Sequence, residues 1–415
     1  MSKRKILLFI FFSAFLIRFI FIILFPLSAP DSIDYDRMAL HITSGLGFST
    51  NLGRAPLYPA FLAVIYLVFG HNFFAVRIIQ SILGAIICLL VYFIGERIFK
   101  NRKAAIMGAG AAVICPSLVA ANSYILTETL TTFLLMIAAF FAMKALKEKN
   151  KRNWIISGVF LGFSTLCRPV TLLFPFFLLI GLLLFHPPFT PPLEGGEGRG
   201  GVVLSHKKRL QNLIFVVVFS LAMAGVILPW TIRNYVVFKE FIPIGTGGGF
   251  NLWVGSYLPW NGDYNYKDLS DKENLIKGLS TIDADKKFFS EGIKNVKDNP
   301  GAYSFLCVKK LGRFWLQIPG GKRVLEGKNL QKIIIFIFHY SLLFFFLLGL
   351  YLCLKEKRKE AFIPLLMIFY FTFAHIFLFA IARYRIPIIP LVLAIAGGGL
   401  YRIIQYRRNF SLGRR

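Results

Sequence analysis

The run ILLFIFFSAFLIRFIFIILFP, residues 6–26, decides the fold. About 20 nearly uninterrupted apolar residues extend roughly 30 Å as an α-helix, the thickness of a bilayer's hydrocarbon core. The run is too long for the apolar part of a signal peptide and lacks a small-residue cleavage site, so it reads as a retained membrane helix. Directly behind it comes SAPDSIDYDRMA, residues 28–39, which sets three aspartates at the mouth of that helix. Similar apolar runs recur at 73–98, 104–121, 124–146, 153–167, 169–185, 211–230, 331–354, 361–382 and 385–404. The chain is therefore expected to be an all-α polytopic membrane protein with about ten transmembrane helices.

Composition agrees. Of 415 residues, 56% are hydrophobic and 16% aromatic. The net charge of +28 invites a nucleic-acid reading. However, much of the excess sits in short clusters between apolar runs, at 3–5, 100–103, 144–152, 207–209, 355–359 and 402–415. That is the positive-inside pattern, and no nucleic-acid partner is expected. The cysteines, Cys88, Cys115, Cys167, Cys307 and Cys353, show neither paired spacing nor a metal-type Cys/His pattern. Those in apolar runs read as small buried hydrophobes.

Placing Lys3-Arg4-Lys5 in the cytoplasm sends the aspartates outside and all later basic clusters inside. This holds only if PLYPAFLAVIYLVFG, 56–70, does not cross. It is short for a span and fits an interfacial or re-entrant helix. Four polar regions then share the outer face. They are the first outer loop (27–58), the turn near 121–128, a soluble segment at 231–330, and the turn ARYRIP at 382–387. On this plan, residues 1–230 form an N-terminal transmembrane core that carries the catalysis, and 231–330 an outer-face region of about a hundred residues. Residues 331–415 are the C-terminal transmembrane helices. The outer region has helix-like stretches around 270–298 and a turn signal at Asn299-Pro300-Gly301. HPPFTPPLEGGEGRGG, 186–201, reads as a flexible cytoplasmic insertion. It lacks the GxxxxGK[ST] pattern and the preceding strand of a phosphate loop.

The outer rim gathers unusual side chains. An acid at the membrane edge is costly unless it faces a cavity or a partner. Asp31 lies just past the first span, and Asp34 and Asp36 follow on a helix expected over 32–45. A helix start by itself accounts for an acid in its first turn, and Asp36 reads as solvated there. Glu128, in SYILTETL, sits at the outer end of another span. Arg54 stands at the start of the 56–70 helix, and Arg168 lies in LCRPV between two spans. Arg233 marks the exit of a span in LPWTIRNY, and Arg383 and Arg385 lie in ARYRIPIIP. Each arginine alone is explained by snorkelling to headgroups. Together they place five guanidiniums and two membrane-edge acids on one side of one membrane. The planar guanidinium fork is the natural binder of phosphate.

PDSIDYDRMA, GRAPLYPAFLAVIYLVFG and RIIQSILGAIICLLVYFIG, followed by SYILTETL, LCRPV, RNYVVFKEFIPIGTGGGFNLWVG and RYRIPIIP, resemble the C-type glycosyltransferase superfamily. The likeness is nearest to the protein O-mannosyltransferase and lipid A aminoarabinose transferase group. It covers most of the chain except 186–210 and about 260–330. Each motif alone is weak, while their order, spacing and shared membrane face are specific. The resemblance implies a multi-pass enzyme of the plasma (inner) membrane with its active site facing outside. Its donor would be a polyprenyl-phosphate-linked sugar and its acceptor an envelope lipid, glycan or protein. It assigns the acid of the first outer loop to Asp31, with Tyr35 as its companion; Asp34 and Tyr58 are expected to bind substrate. Arg54 falls to the lipid phosphate and Glu128 to the second acid. From their placement on the rim, Arg168, Arg233, Arg383 and Arg385 are expected to bind substrate, and at least two of Arg54, Arg168, Arg233 and Arg385 to touch the donor phosphate. Ser32 stands where relatives often carry a second acid, so no paired carboxylate occurs at 31–32. A divalent metal on Asp31 and Glu128 stays open, and no cofactor is fixed.

The chemistry suits such residues. As the donor C1–O bond breaks, negative charge develops on the departing phosphate, and arginines or a divalent ion stabilise it. A carboxylate near the acceptor takes or orients its proton. One displacement inverts the anomeric centre. A transporter or flippase is the main rival, but it predicts internal repeats and charged, broken helices at mid-membrane. Here the charges gather at one rim. A non-catalytic envelope-assembly subunit is the second rival, and loss of activity on changing Asp31 separates it from an enzyme.

Overall fold

The computed structural model describes residues 2–48, 52–185, 198–264, 269–318 and 329–412. All regular structure in it is helical. The helices are α1 (Lys3–Leu24), α2 (Pro30–Thr43), α3 (Leu57–Phe69), α4 (Phe73–Phe99), α5 (Arg102–Ile114) and α6 (Pro116–Ser123). They continue with α7 (Glu128–Glu148), α8 (Lys151–Cys167), α9 (Phe174–Phe185), α10 (Gly198–Phe238), α11 (Gly248–Ser256) and α12 (Ser270–Ile276). The last are α13 (Thr281–Asp298), α14 (Pro300–Leu316), α15 (Asn329–Lys355), α16 (Phe362–Phe377) and α17 (Ile389–Leu412). Short 3₁₀ turns follow α8 at Pro169–Thr171 and precede α17 at Ala382–Ile388.

Among the described residues, seven helices are long and apolar enough to cross a membrane, or eight if the bent pair α5–α6 is one span. The chain is an integral multi-pass membrane protein. The expected ten spans also count 153–167 and 169–185, which form the 17-residue α8 and 12-residue α9. At 1.5 Å per residue α8 is at the lower limit of a span and α9 is shorter. α5 and α6 meet at 46° because Pro116 has no N–H to continue the ladder.

Both ends of α1 are tied to α4. Lys3 Nζ lies 2.6 Å from Glu96 Oε2 at one end. Arg77 Nη2 donates to the Leu27 carbonyl at 3.2 Å at the other. The two helices are therefore antiparallel, and the chain between them leaves and returns on one side, so α3 does not cross. On the Lys3 side, two reversals share one device. Lys100 and Lys149 adopt left-handed conformations (φ 48° and 51°) that end α4 and α7. Asn101 and Asn150 then cap α5 and α8 with their side-chain oxygens.

The described residues of 239–318 pack on the opposite end of the bundle, around Trp253, Val254, Trp260 and Phe288. Phe379, which follows α16, completes that cluster. Ile244 and Phe314 of this region join the core formed by the membrane helices. The helix-like stretches around 270–298 form α12 and α13, and after Asn299 the chain turns into α14 with Pro300 at its start. Of the 186–201 insertion, 186–197 lie outside the described residues. Residues 198–201 open α10 instead of forming a loop.

Candidate active site

α2 opens with Pro30 at its first turn and carries Asp31 beside it, where the helix dipole favours an anion. Asp31, Asp34 and Tyr35 lie three and four positions apart and so share one face. Arg54 meets all three. Its Nη2 lies 2.9 Å from Asp31 Oδ1 and 2.9 Å from Asp34 Oδ2, its Nε 3.2 Å from the latter. The Tyr35 ring lies 5.2 Å from the guanidinium carbon. Asp36 points to the other side of the helix. It accepts from the Tyr66 hydroxyl at 2.7 Å and lies 2.8 Å from His71 Nε2. This corrects the reading of Asp36 as a solvated acid, because the α3–α4 junction folds back over it.

The second oxygen of Asp31 belongs to another part of the chain. Arg383 Nη2 donates to Asp31 Oδ2 at 2.8 Å. The same guanidinium places Nε 3.0 Å from Glu128 Oε1. Arg168 Nη1 also donates to Glu128 Oε1, at 3.3 Å, and its plane lies 4.7 Å from the Tyr384 ring centre. Arg54, Asp31, Arg383, Glu128 and Arg168 thus form one continuous ion-paired chain drawn from four separate segments. Glu128 is only 2% exposed. Its Oε2 is buried with no hydrogen-bond partner, as are Arg383 Nε and the Ser32 hydroxyl. Arg383 Nε still faces Glu128 Oε1 at 3.0 Å as an ion pair, so Glu128 Oε2 is the acid oxygen of this chain left without a partner.

The charges tune one another. Burial raises the Asp31 pKa, but the hydrogen bond and charge of Arg383, followed by those of Arg54, outweigh it and hold the carboxyl below its usual range. Burial pushes the Tyr35 phenol up to about 12. Burial works against the Arg54 guanidinium, yet Tyr35, Asp34 and Asp31 raise its pKa.

Other expected residues do not join the chain. Tyr58 is fully buried, donates its hydroxyl to Gln80 Oε1 at 2.9 Å and supports the Tyr35 ring edge-on. It has no surface left for a substrate. Arg385 is 2% exposed and caps α14, donating to the carbonyls of Phe314, Trp315 and Gln317. Arg383 and Arg385 are two apart on a 3₁₀ turn of three residues per turn, so they point to different sides. Arg233 lies against the Trp230 and Phe238 rings and donates to the Phe48 carbonyl at 3.1 Å, pinning the end of the first loop. The sequence reading missed Arg18, Asn122 and Lys310, all buried and all hydrogen-bonded. An arginine inside the otherwise apolar run 6–26 was the available signal for the first.

The donor set does not suit a divalent metal. Among the described residues no three Asp, Glu, His or Cys side chains converge. Both oxygens of Asp31 and one of Glu128 already face guanidinium nitrogens, and Arg383 occupies the position between the acids.

Residues 53–193 match the family model for dolichyl-phosphate-mannose-protein mannosyltransferase. No curated protein matches the chain by sequence. Among solved structures, archaeal oligosaccharyltransferase AglB from Archaeoglobus fulgidus, in complex with an inhibitory peptide and a dolichol-phosphate, superposes with a TM-score of 0.57 at 15% identity. That alignment covers 99% of this chain and 52% of AglB. The Archaeoglobus fulgidus oligosaccharyltransferase in complex with Zn and sulfate gives 0.54 at 14% identity, covering 97% of this chain and 50% of that one. ArnT from Cupriavidus metallidurans bound to undecaprenyl phosphate gives only 0.45 at 12% identity, over 96% of this chain and 78% of ArnT. The chain spans about half the length of the oligosaccharyltransferases it matches. The chain shares the fold of these oligosaccharyltransferases, and its segment 53–193 matches the dolichyl-phosphate-mannose-protein mannosyltransferase model.

Proposed function

We propose that the chain is a glycosyltransferase that moves a sugar from a polyprenyl-phosphate donor to an envelope acceptor on the outer face of the plasma membrane, with inversion. The observation that carries this reading is the chain Arg54–Asp31–Arg383–Glu128–Arg168. It assembles phosphate-binding forks around two acids at one end of a membrane bundle. The acceptor oxygen attacks C1, the C1–O bond to phosphate breaks, and the electron pair leaves with the phosphate. The acceptor's proton passes to the Asp31 carboxylate. Arg54, Arg168 and Arg383 neutralise the leaving phosphate as its charge develops. Glu128 orients Arg168 and Arg383, and its free oxygen accepts a hydrogen bond from the bound sugar or acceptor. With Asp34 included, three carboxylates balance three guanidiniums, so an arriving phosphate displaces carboxylate contacts rather than filling an unmet charge. The dolichol-phosphate bound to AglB and the family's description support a lipid-phosphate donor.

The test is turnover of polyprenyl-phosphate sugars by the purified protein in nanodiscs, read as release of polyprenyl phosphate. Asp31→Asn is expected to lower kcat by about 10²–10⁴-fold while leaving extraction and folding intact. Consumption of no donor in a panel of hexosyl and pentosyl lipids, or an Asp31→Asn variant retaining more than about a tenth of the rate, overturns the reading.

A further inference from the structure

Arg18 sits in the middle of the first membrane helix and is 0% exposed. An arginine at such a depth is costly unless it finds partners. It finds them at the break between α5 and α6. Pro116 has no N–H to give the Ala112 carbonyl four residues earlier, and Arg18 Nη2 donates there at 3.3 Å. Arg18 Nη1 donates to the Val113 carbonyl at 3.3 Å and to Ala14 of its own helix at 3.0 Å. Its Nε donates to Asn122 Oδ1 at 2.8 Å.

Asn122 passes the order onward. Its Nδ2 donates to the Gln80 carbonyl at 2.8 Å and to Thr129 Oγ1 at 3.1 Å. Thr129 in turn donates to the Ala121 carbonyl at 3.2 Å. These bonds staple the end of α6 to the first turn of α7, and Thr129 is the neighbour of Glu128. Gly84 makes room for the staple. A Cβ there would lie 2.5 Å from Asn122 Oδ1 and 2.6 Å from Arg18 Nε.

We propose that Arg18 is a positioning residue for Glu128, acting through Asn122 and Thr129 from within the membrane. The bend of α5–α6 brings the chain back to the acid, and the Arg18 fork fixes the bend. Glu128 must be held because a single oxygen, Oε1, orients both Arg168 and Arg383 while Oε2 stays free. An error of about 1 Å in such an arrangement costs up to 10²-fold in rate.

The kinetic test rests on the proposed transfer reaction. Thr129→Val keeps the shape and removes the hydroxyl that Asn122 contacts. Gly84→Ala presses on the Arg18–Asn122 bond without removing any polar group. Each is expected to lower kcat about tenfold with the donor KM unchanged. Thr129→Ser, which retains the hydroxyl, is expected to restore most of the rate lost in Thr129→Val. Wild-type kcat in both Thr129→Val and Gly84→Ala overturns the proposal. A second readout needs no turnover. A cryo-EM structure of Thr129→Val is expected to show Glu128 Oε1 displaced from Arg168 and Arg383, and unchanged distances overturn the proposal. If the wild-type protein consumes no polyprenyl-phosphate sugar, the transferase reading fails while this structural comparison still decides the role of Arg18.

Discussion

Arg383 and Asp31 stand 352 residues apart in sequence and 2.8 Å apart in space. The contact joins the first loop after α1 to the turn before α17, so the two ends of the chain close over one site. Arg383 also faces Glu128, which makes it the central link of the charged chain.

Lysine scanning separates the arginines that serve the site from those that serve the fold. Arg54→Lys, Arg168→Lys and Arg383→Lys keep a charge and lose the planar fork. A bidentate charged contact is worth about 2–4 kcal/mol, so on the order of 30- to 1000-fold in kcat/KM is expected for at least two of the three. Arg385→Lys leaves carbonyls of the α14 end unpaired, which is expected to lower thermal stability in detergent by about 1–3 kcal/mol without a selective loss of donor use. Wild-type turnover of all three site variants would make these residues membrane anchors.

The pH profile follows from Asp31. Its folded pKa is depressed below the ordinary 3.8 by Arg383 and Arg54 against the opposing effect of burial. Its contribution to stability is therefore fully present above that value and lost only as pH falls through the folded pKa. As the proton acceptor it stays ionised over the same range. Measured kcat/KM is expected to show no acid limb from this group above about pH 4. In Asp31→Asn, the steep loss of stability below about pH 4 is expected to soften. An acid limb between pH 5 and 7 that vanishes in Asp31→Asn would contradict the assignment.

Much of this was legible in the sequence, and the reasons differ by residue. Helix number and the rim acids could be read because apolar length and isolated charge are local signals. Asp31, Arg54, Glu128, Arg168 and Arg383 fall together as their shared membrane side required. Arg385 could not be told from Arg383 in ARYRIP, because its partners are carbonyls of α14 some seventy residues earlier. Asp36 looked solvated because the helix start explained it locally, while Tyr66 arrives from α3 and His71 from the turn after it. The pieces at 153–167 and 169–185 are short because Pro169 divides them, yet α8 runs from the Lys149 reversal at one end of the bundle to Arg168 beside Glu128 at the other.

Sidedness is testable by labelling. Single cysteines introduced at exposed positions of 270–298 are expected to react with an impermeant maleimide in intact cells. Cysteines at 190–200 are expected to react only after permeabilisation. The native background needs one change, Cys307→Ser, because the other four cysteines are buried and Cys307 is half-exposed. The reverse pattern would place the charged chain in the cytoplasm and remove the lipid-phosphate donor on the outer leaflet from consideration.

Lys310 supplies a test of how the 239–318 region is fastened. It is 0% exposed, and its ammonium donates to the Gly255 carbonyl at 2.8 Å and the Leu378 carbonyl at 3.2 Å. It also lies 4.8 Å from the Tyr303 ring centre. Three segments meet there, namely the end of α11, the middle of α14 and the chain leaving α16. Gly255 is obligatory, since a Cβ would overlap the Leu378 carbonyl. Burial pushes the Lys310 pKa down to about 8 from 10.5. The folded state thus holds fewer protons than the unfolded state between those values. The contribution of this group to stability is fully present above pH 10.5 and lost as pH falls through 8. The difference amounts to about 3 kcal/mol. Thermal unfolding in detergent is expected to show wild-type stability rising from pH 8 to 10.5 relative to Lys310→Met, which cannot titrate. Near pH 7 the methionine variant trades two unpaired carbonyls, about 1–3 kcal/mol each, against relief of a buried charge, so its net change there is expected to be small. Parallel pH profiles for the two proteins would show that Lys310 is hydrated in the folded state and does not clamp these segments.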